Sequence, residues 1–134
     1  MLRATDLALV EVARDAIRKR YRANWHVVGC ALRTRSGRVH VGVHLECHVG
    51  RIAVCAEAVA IGRAVTDGDD DLETIVAVHQ SSPDDGLPTV VAPCGMCREM
   101  ISDYAPDAQV IMPTDGEPEL VAIASLLPRK YRRS

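Results

Sequence analysis

A chain of 134 residues, 48% hydrophobic and 25% charged, has the length and make-up of one globular domain, 1–134, with a real core. A formal net charge of −2 and sparse aromatics (one Trp, three Tyr, no Phe) argue against a nucleic-acid binder, which needs a basic face and stacking platforms. No apolar run is long enough to cross a bilayer, and Met1-Leu2-Arg3-Ala4-Thr5-Asp6 lacks a secretory signal's apolar stretch, so a cytoplasmic protein with no membrane partner is expected.

The first element is a helix. Leu7, Leu9, Val10, Val12, Ala13, Ala16 and Ile17 recur at helical spacing behind Thr5 or Asp6, the expected N-cap. Its basic ending, Arg18-Lys19-Arg20-Tyr21-Arg22, reads as a solvated last turn favoured by the helix dipole. Residues 27–32 and 39–45 read as two strands joined by a turn at Arg35-Ser36-Gly37-Arg38. Cys30, between Gly29 and Ala31, is expected in the core, whereas His40, alternating with Val39 and Val41, is expected to face solvent. His44-Leu45-Glu46-Cys47-His48 is a polar strand end and reads as a ligand-contacting loop, functional groups being commonly carried on loops by rigid elements.

Residues 55–65 have helical periodicity, and Asp67-Gly68-Asp69-Asp70-Asp71 reads as a surface turn without the spacing of a calcium loop. Residues 74–78 form a β-branched apolar strand, 81–88 a loop, and Thr89-Val90-Val91-Ala92 an extended run. A helix over 97–104, a strand over 109–112, a turn over 113–118, a strand over 119–122 and a short helix over 123–127 complete the chain. This order is α/β, with helices able to cover both faces of a central sheet.

The chemistry is concentrated in Val54-Cys55-Ala56-Glu57-Ala58 and Pro93-Cys94-Gly95-Met96-Cys97-Arg98. Cys94 and Cys97 are one helical turn apart, so both thiols can point the same way. Three thiolates would leave one tetrahedral position of a zinc ion open to water, as in a catalytic site, and Glu57 could shuttle protons beside it. Cys55 and Cys97 both fall at helix starts, where the dipoles offset part of the negative charge. With no secretory signal, all five cysteines are expected to stay reduced and available to metal. Two other readings share the cysteines. A redox Cys-x-x-Cys needs neither the third cysteine nor Cys-x-Glu, and a structural zinc would need a fourth ligand from Cys30, Cys47 or one of the five histidines. In the latter case the protein would be a zinc-stabilised binding module and Glu57 only a helix-start carboxylate.

By motif order from about residue 9 to 131, the chain resembles the cytidine deaminase superfamily, whose signature places a Glu element before Pro-Cys-x-x-Cys. The resemblance rests on Val54-Cys55-Ala56-Glu57-Ala58, Ile75-Val76-Ala77-Val78, Pro93-Cys94-Gly95-Met96-Cys97-Arg98-Glu99 and Ile101-Ser102-Asp103-Tyr104-Ala105-Pro106. The ending Leu126-Leu127-Pro128-Arg129-Lys130-Tyr131 is similar to that of the blasticidin S deaminases within it. It implies a three-layer α/β/α fold with a five-stranded mixed sheet, and a homotetramer with active sites near subunit contacts. It also implies hydrolytic deamination of a small cytosine nucleoside, either blasticidin S or the cytidine and deoxycytidine of pyrimidine salvage. Carried over by position, Cys55, Cys94 and Cys97 match the Zn2+ ligands and Glu57 the proton shuttle. Glu46 falls where a carboxylate meets the sugar hydroxyl, and backbone near Ala56 and Ala92 would hold the ring edge. His44 replaces the usual Asn, as a donor able to become charged, and His26 replaces a base-stacking Phe. His48, Arg51 and the tail Arg129-Lys130-Tyr131-Arg132-Arg133 are candidate partners for a substrate carboxylate, with Tyr131 reaching a neighbouring site.

Overall fold

The computed structural model describes residues 2–134; Met1, which opens the segment lacking a signal's apolar stretch, lies outside them. Alternation along the strands dictates the layering. On β1 (Val28–Thr34), Cys30 and Leu32 face one apolar layer and Ala31 the other. On β3 (Leu72–His79), Ile75 goes with the first layer and Val76 and Val78 with the second. The first layer is closed by α2 (Ala56–Thr66), α3 (Gly95–Tyr104) and α4 (Ile123–Leu126), which contribute Ala60, Ile61, Ile101 and Ile123. The second is closed by α1 (Ala4–Arg20) through Leu9, Val10, Ala13 and Ile17. The result is an α/β/α sandwich, as expected.

The sheet runs β2-β1-β3-β5-β6, with β2 at Val39–Val43, β5 at Gln109–Met112 and β6 at Glu119–Ala122. β3 and β5 pair in parallel and the other pairs are antiparallel, so the sheet is mixed. A short sixth strand, β4 (Thr89–Val91), is added along the far half of β3, pairing Ala77 with Val91. β5 takes the near half of the same edge, through Thr74 and Ile75. The split edge leaves β4 delivering the chain directly to Cys94. Among the described residues no helix is long and apolar enough to cross a membrane.

Two local readings are corrected. Arg3, not Thr5 or Asp6, is the N-cap of α1. Asp6 lies three residues further on, fully buried, where its carboxylate accepts from the Arg3 amide at 3.0 Å and pairs with Arg33 at 2.9 Å. Those donors overcome the burial that works against its charge and hold its carboxyl below the usual range. His40 does not face solvent; it is 5% exposed, with Nε2 2.8 Å from the Asp69 carboxylate. Edge strand β2 is covered on both faces, by α1 and α2, so the polar parity of His40 and Gly42 is buried too. Asp69, in the acidic turn after α2, provides the acceptor and also takes the Thr34 hydroxyl at 2.8 Å.

Gly42 sets how closely α2 approaches. A Cβ there would meet the Ala60 amide at 2.7 Å and the Ala56 carbonyl at 2.8 Å, both backbone atoms of the helix that carries Glu57. Gly42→Ala must therefore push α2 outward, at about 1–3 kcal/mol for overpacking. Denaturant unfolding should show that loss, and kcat/KM should fall by at least ~10-fold because the helix start moves with it. Unchanged stability and activity would show that α2 has slack.

Candidate active site

The site forms where two helices begin. Cys55 is the N-cap of α2 and Cys94 that of α3, both in extended backbone, and Cys97 follows in the first turn of α3. The three sulfurs lie within 4.8 Å of one another, and the Cys55 and Cys94 Sγ atoms are 3.8 Å apart. Tetrahedral zinc with Zn–S bonds of about 2.3 Å places its sulfurs about 3.8 Å apart, so the trio fits that ion. Cys30 is fully buried in the first apolar layer and stands outside the cluster, as does Cys47.

The thiols' acidities are set by their crowding. Burial pushes the Cys97 thiol well up, and the Glu57 carboxylate adds to this. Burial likewise raises Cys55, with Cys94 and Glu57 contributing. For Cys94 burial is outweighed by the amides of Cys97 and Met96 and by the two neighbouring thiols, so its acidity is increased. Without a cation only one of the three favours ionisation. A dication relieves that conflict, because it stabilises all three thiolates at once. Glu57, the second residue of α2, is 6% exposed, and burial raises its carboxyl.

Cys55, Cys94, Ala56, Glu57, Ala92 and His44 share one cavity of about 570 Å³. Arg51 also lines it, as one of the residues expected to meet a carboxylate. Val28, Val54, Val91 and Met96 line it too and were not singled out from sequence. Met96 lies between the two cysteines of the motif, so that spacer was the available signal. The valines are strand-end residues whose site-facing role depends on tertiary packing.

His44 is held in a defined state. Its Nδ1 accepts the amides of Val27 at 2.9 Å and Val28 at 3.2 Å, so the ring proton is on Nε2. Burial, and secondarily His26, pull its pKa down. The expectation of a chargeable donor is therefore corrected: His44 is a neutral, single-donor imidazole near neutral pH. His26 lies behind it, with Nδ1–H donating to the His44 carbonyl at 2.8 Å and the two ring centroids 6.2 Å apart. Thus His26 braces His44 and lies outside the walls of the cavity.

The remaining candidates are dispersed. Glu46 lies in an adjoining cavity and accepts its neighbour Cys47's amide at 3.0 Å. His48 meets Trp25 edge-on, with ring centroids 5.1 Å apart. Lys130 is tied to Glu99 and Asp103 of α3, and Tyr131 is 81% exposed, outside both cavities.

Replacing Cys94 or Cys97 with Ala should lower bound zinc and thermal stability together, because these thiols join two helix starts to one ion. Cys30→Ala and Cys47→Ala should retain about one zinc per chain by elemental analysis. Loss of metal in Cys47→Ala would place a fourth thiolate on the ion.

Comparison with known proteins agrees with this geometry. Residues 3–113 match the family model described as the cytidine and deoxycytidylate deaminase zinc-binding region. The chain is 50% identical over 131 residues to a blasticidin-S deaminase of Bacillus cereus, covering 96% of this chain and 94% of that one. It is 31% identical over 106 residues to a cytidine deaminase of Halalkalibacterium halodurans, covering 78% and 76%. The crystal structure of a cytidine deaminase from Burkholderia pseudomallei superposes with a TM-score of 0.76 at 27% identity, over 93% of this chain and 98% of that one. With three thiols that fit zinc at paired helix starts, the chain belongs to the cytidine and deoxycytidylate deaminase family of zinc-dependent hydrolases.

Proposed function

We propose that this protein hydrolytically deaminates blasticidin S, converting its cytosine to a uracil-type ring and releasing ammonia. The observation that carries this reading is the 50% identity to a blasticidin-S deaminase along nearly the whole chain, against 28–31% for cytidine deaminases over shorter stretches. Cys55, Cys94 and Cys97 hold the zinc. Bound there, the ion supplies Lewis-acid activation of a water molecule. Glu57 accepts a proton from the attacking water, delivers it to N3 of the ring, and passes a second proton to the departing amino group. Its buried carboxyl suits that alternation, since burial brings the charged and neutral forms closer in energy.

Substrate recognition follows from the walls. Backbone at Ala56 and Ala92 holds the ring edge. Arg51 pairs with the carboxylate that blasticidin S carries on its sugar-like ring and cytidine lacks. His44 offers one Nε2–H to that ring, with His26 behind it and Glu46 accepting on the far side. The working form is a cytoplasmic homotetramer. Cys94 is exposed within one chain, and Ile52, Val49 and Met96 nearby are 59%, 58% and 72% exposed, an apolar surface that a second copy would cover. Tyr131, exposed at the chain end, is the candidate for reaching a neighbour's site. A second reading, deamination of cytidine or deoxycytidine, is favoured by the fold likeness to cytidine deaminases.

Glu57→Gln should keep zinc and fold yet lose at least ~10²-fold in turnover, because the amide preserves shape without a base. Near-normal ammonia release would remove Glu57 from the proton path. The substrate reading is tested by following absorbance loss on blasticidin S and cytidine in parallel. We expect higher kcat/KM for blasticidin S, and a ratio reduced about tenfold in His44→Asn. Faster turnover of cytidine by the unaltered protein would overturn the antibiotic reading and leave the zinc deaminase intact.

A further inference from the structure

Two of the three metal-binding thiols, Cys55 and Cys94, belong to N-cap residues in extended backbone, so each depends on how the residue before it is held. Val54, before Cys55, is fixed by the reciprocal 2.9 Å backbone bonds with Leu45. Pro93, before Cys94, has no N–H, so its carbonyl is its one backbone handle. That carbonyl accepts from Arg98 Nε at 2.9 Å, and among the described residues it has no other donor. The Pro93 oxygen, the Cys94 nitrogen and the Cys94 Cα share one peptide plane, so holding the oxygen fixes the atom from which the Cys94 side chain hangs. The same guanidinium donates through Nη1 to the Leu126 carbonyl at 3.3 Å. Leu126 ends α4, which is itself anchored: Ile123 is fully buried in the first apolar layer, and its amide donates to the Ala108 carbonyl at 2.9 Å. Beyond α4 the tail is held separately, by the Lys130 ammonium on Asp103 at 2.5 Å and Glu99 at 3.6 Å.

We propose that Arg98 is a positioning residue for the metal centre: its guanidinium braces the Pro93–Cys94 peptide against the end of α4 and so holds the Cys94 sulfur at zinc-binding distance from Cys55 and Cys97. The role is one of shape as well as charge. The guanidinium's bonds go to two carbonyls, 5 and 28 residues away along the chain. A planar fork meets both with two different nitrogens, whereas a lysine ammonium is a single point charge at the end of a flexible stem. The exposed Cys94 is the ligand with most to lose, since Cys97 is already fixed within the first turn of α3. Groups that orient metal ligands in this way are commonly worth about 10–100-fold in metal affinity or activity.

The metal itself provides the readout. Zinc affinity is measured by chelator competition on the zinc-loaded protein, below the melting transition of each variant, for Arg98→Lys, Arg98→Met and Lys130→Met. Both Arg98 variants should bind zinc about 10-fold more weakly or worse. Lys130→Met frees the tail but leaves both carbonyls held, and should stay within about twofold of the unaltered protein. In the cobalt-substituted protein, the thiolate-to-metal absorption bands should shift in the Arg98 variants and stay in place in Lys130→Met. At saturating zinc, kcat should fall by a similar factor for blasticidin S and cytidine while KM stays within about twofold, because the groups that meet the ring are not moved. Full zinc affinity in Arg98→Lys would mean that the charge alone suffices. Equal loss in Lys130→Met would mean a general loosening of α3. Either result overturns the positioning role, as does a lowered melting temperature with unchanged zinc affinity and cobalt spectrum. Should Arg98→Met fail to fold, the comparison of Arg98→Lys with Lys130→Met decides. These metal readouts hold whichever nucleoside proves the better substrate.

Discussion

The structure depends on the mutual repulsion of three sulfurs being tolerable at one point. Cys55, Cys94 and Cys97 lie within 4.8 Å, and in water three such thiols would not ionise together at neutral pH. Two features relieve the conflict. The starts of α2 and α3 converge there, so first-turn amides and two dipoles face the sulfurs. The opposing directions of the thiol acidities show the residual strain: Cys94 is eased and Cys97 is resisted. A dication completes the balance, so metal affinity and the packing of α2 against α3 are coupled.

The sheet keeps that meeting point in register with His44 and Glu46. Leu45 and Val54 exchange backbone hydrogen bonds of 2.9 Å in both directions, which ties the end of β2 to the residue before Cys55. His44 and Glu46 flank one end of that bridge. On the other side β4 pairs antiparallel with the last residues of β3, Thr89 opposite His79 and Val91 opposite Ala77, so the chain runs on to Ala92 and Cys94 away from His79. One strand end, β3, thus contributes to both cavities' surroundings, through its pairing with β1 at Val28 and with β4 at Thr89. Displacement of any one of these ends would move metal ligands and substrate contacts together.

What was legible in the sequence was what short spacing determines. The Cys-x-Glu and Cys-x-x-Cys segments read correctly as helix starts, because helical pitch sets which neighbours share a face. Alternating apolar strands and apolar helices likewise gave the three layers. His40 misled because the alternation of Val39, Val41 and Val43 assumes one dry face, and β2 has two. Its burial depends on Asp69, 29 residues away, which no local pattern announces. The charge state of His44 was illegible for the same reason: its tautomer is dictated by amides of Val27 and Val28 across the sheet end. Gln80 carries no motif at all, and its buried, unpaired Oε1 is visible only once the packing around it and the Ser82 contact are known.

These origins separate chemistry from selectivity. Cys55, Cys94, Cys97 and Glu57 sit at the starts of α2 and α3, where helix geometry sets their spacing. His26, His44, Glu46 and Gln80 sit at the ends of β1, β2 and β3, outside the helices. A side-chain substitution at a strand end that leaves the backbone in place can therefore alter a cavity wall without moving the sulfurs. His44 is the instructive case. An Asn offers both a donor and an acceptor to a ribose, whereas this imidazole spends its acceptor on two amides and has one donor left. A ligand ring meeting it must supply the acceptor, and any further donors on that ring must look elsewhere. The second cavity that His44 lines holds the Glu46 carboxylate, so the donor left at residue 44 and an acceptor at residue 46 stand on one strand end.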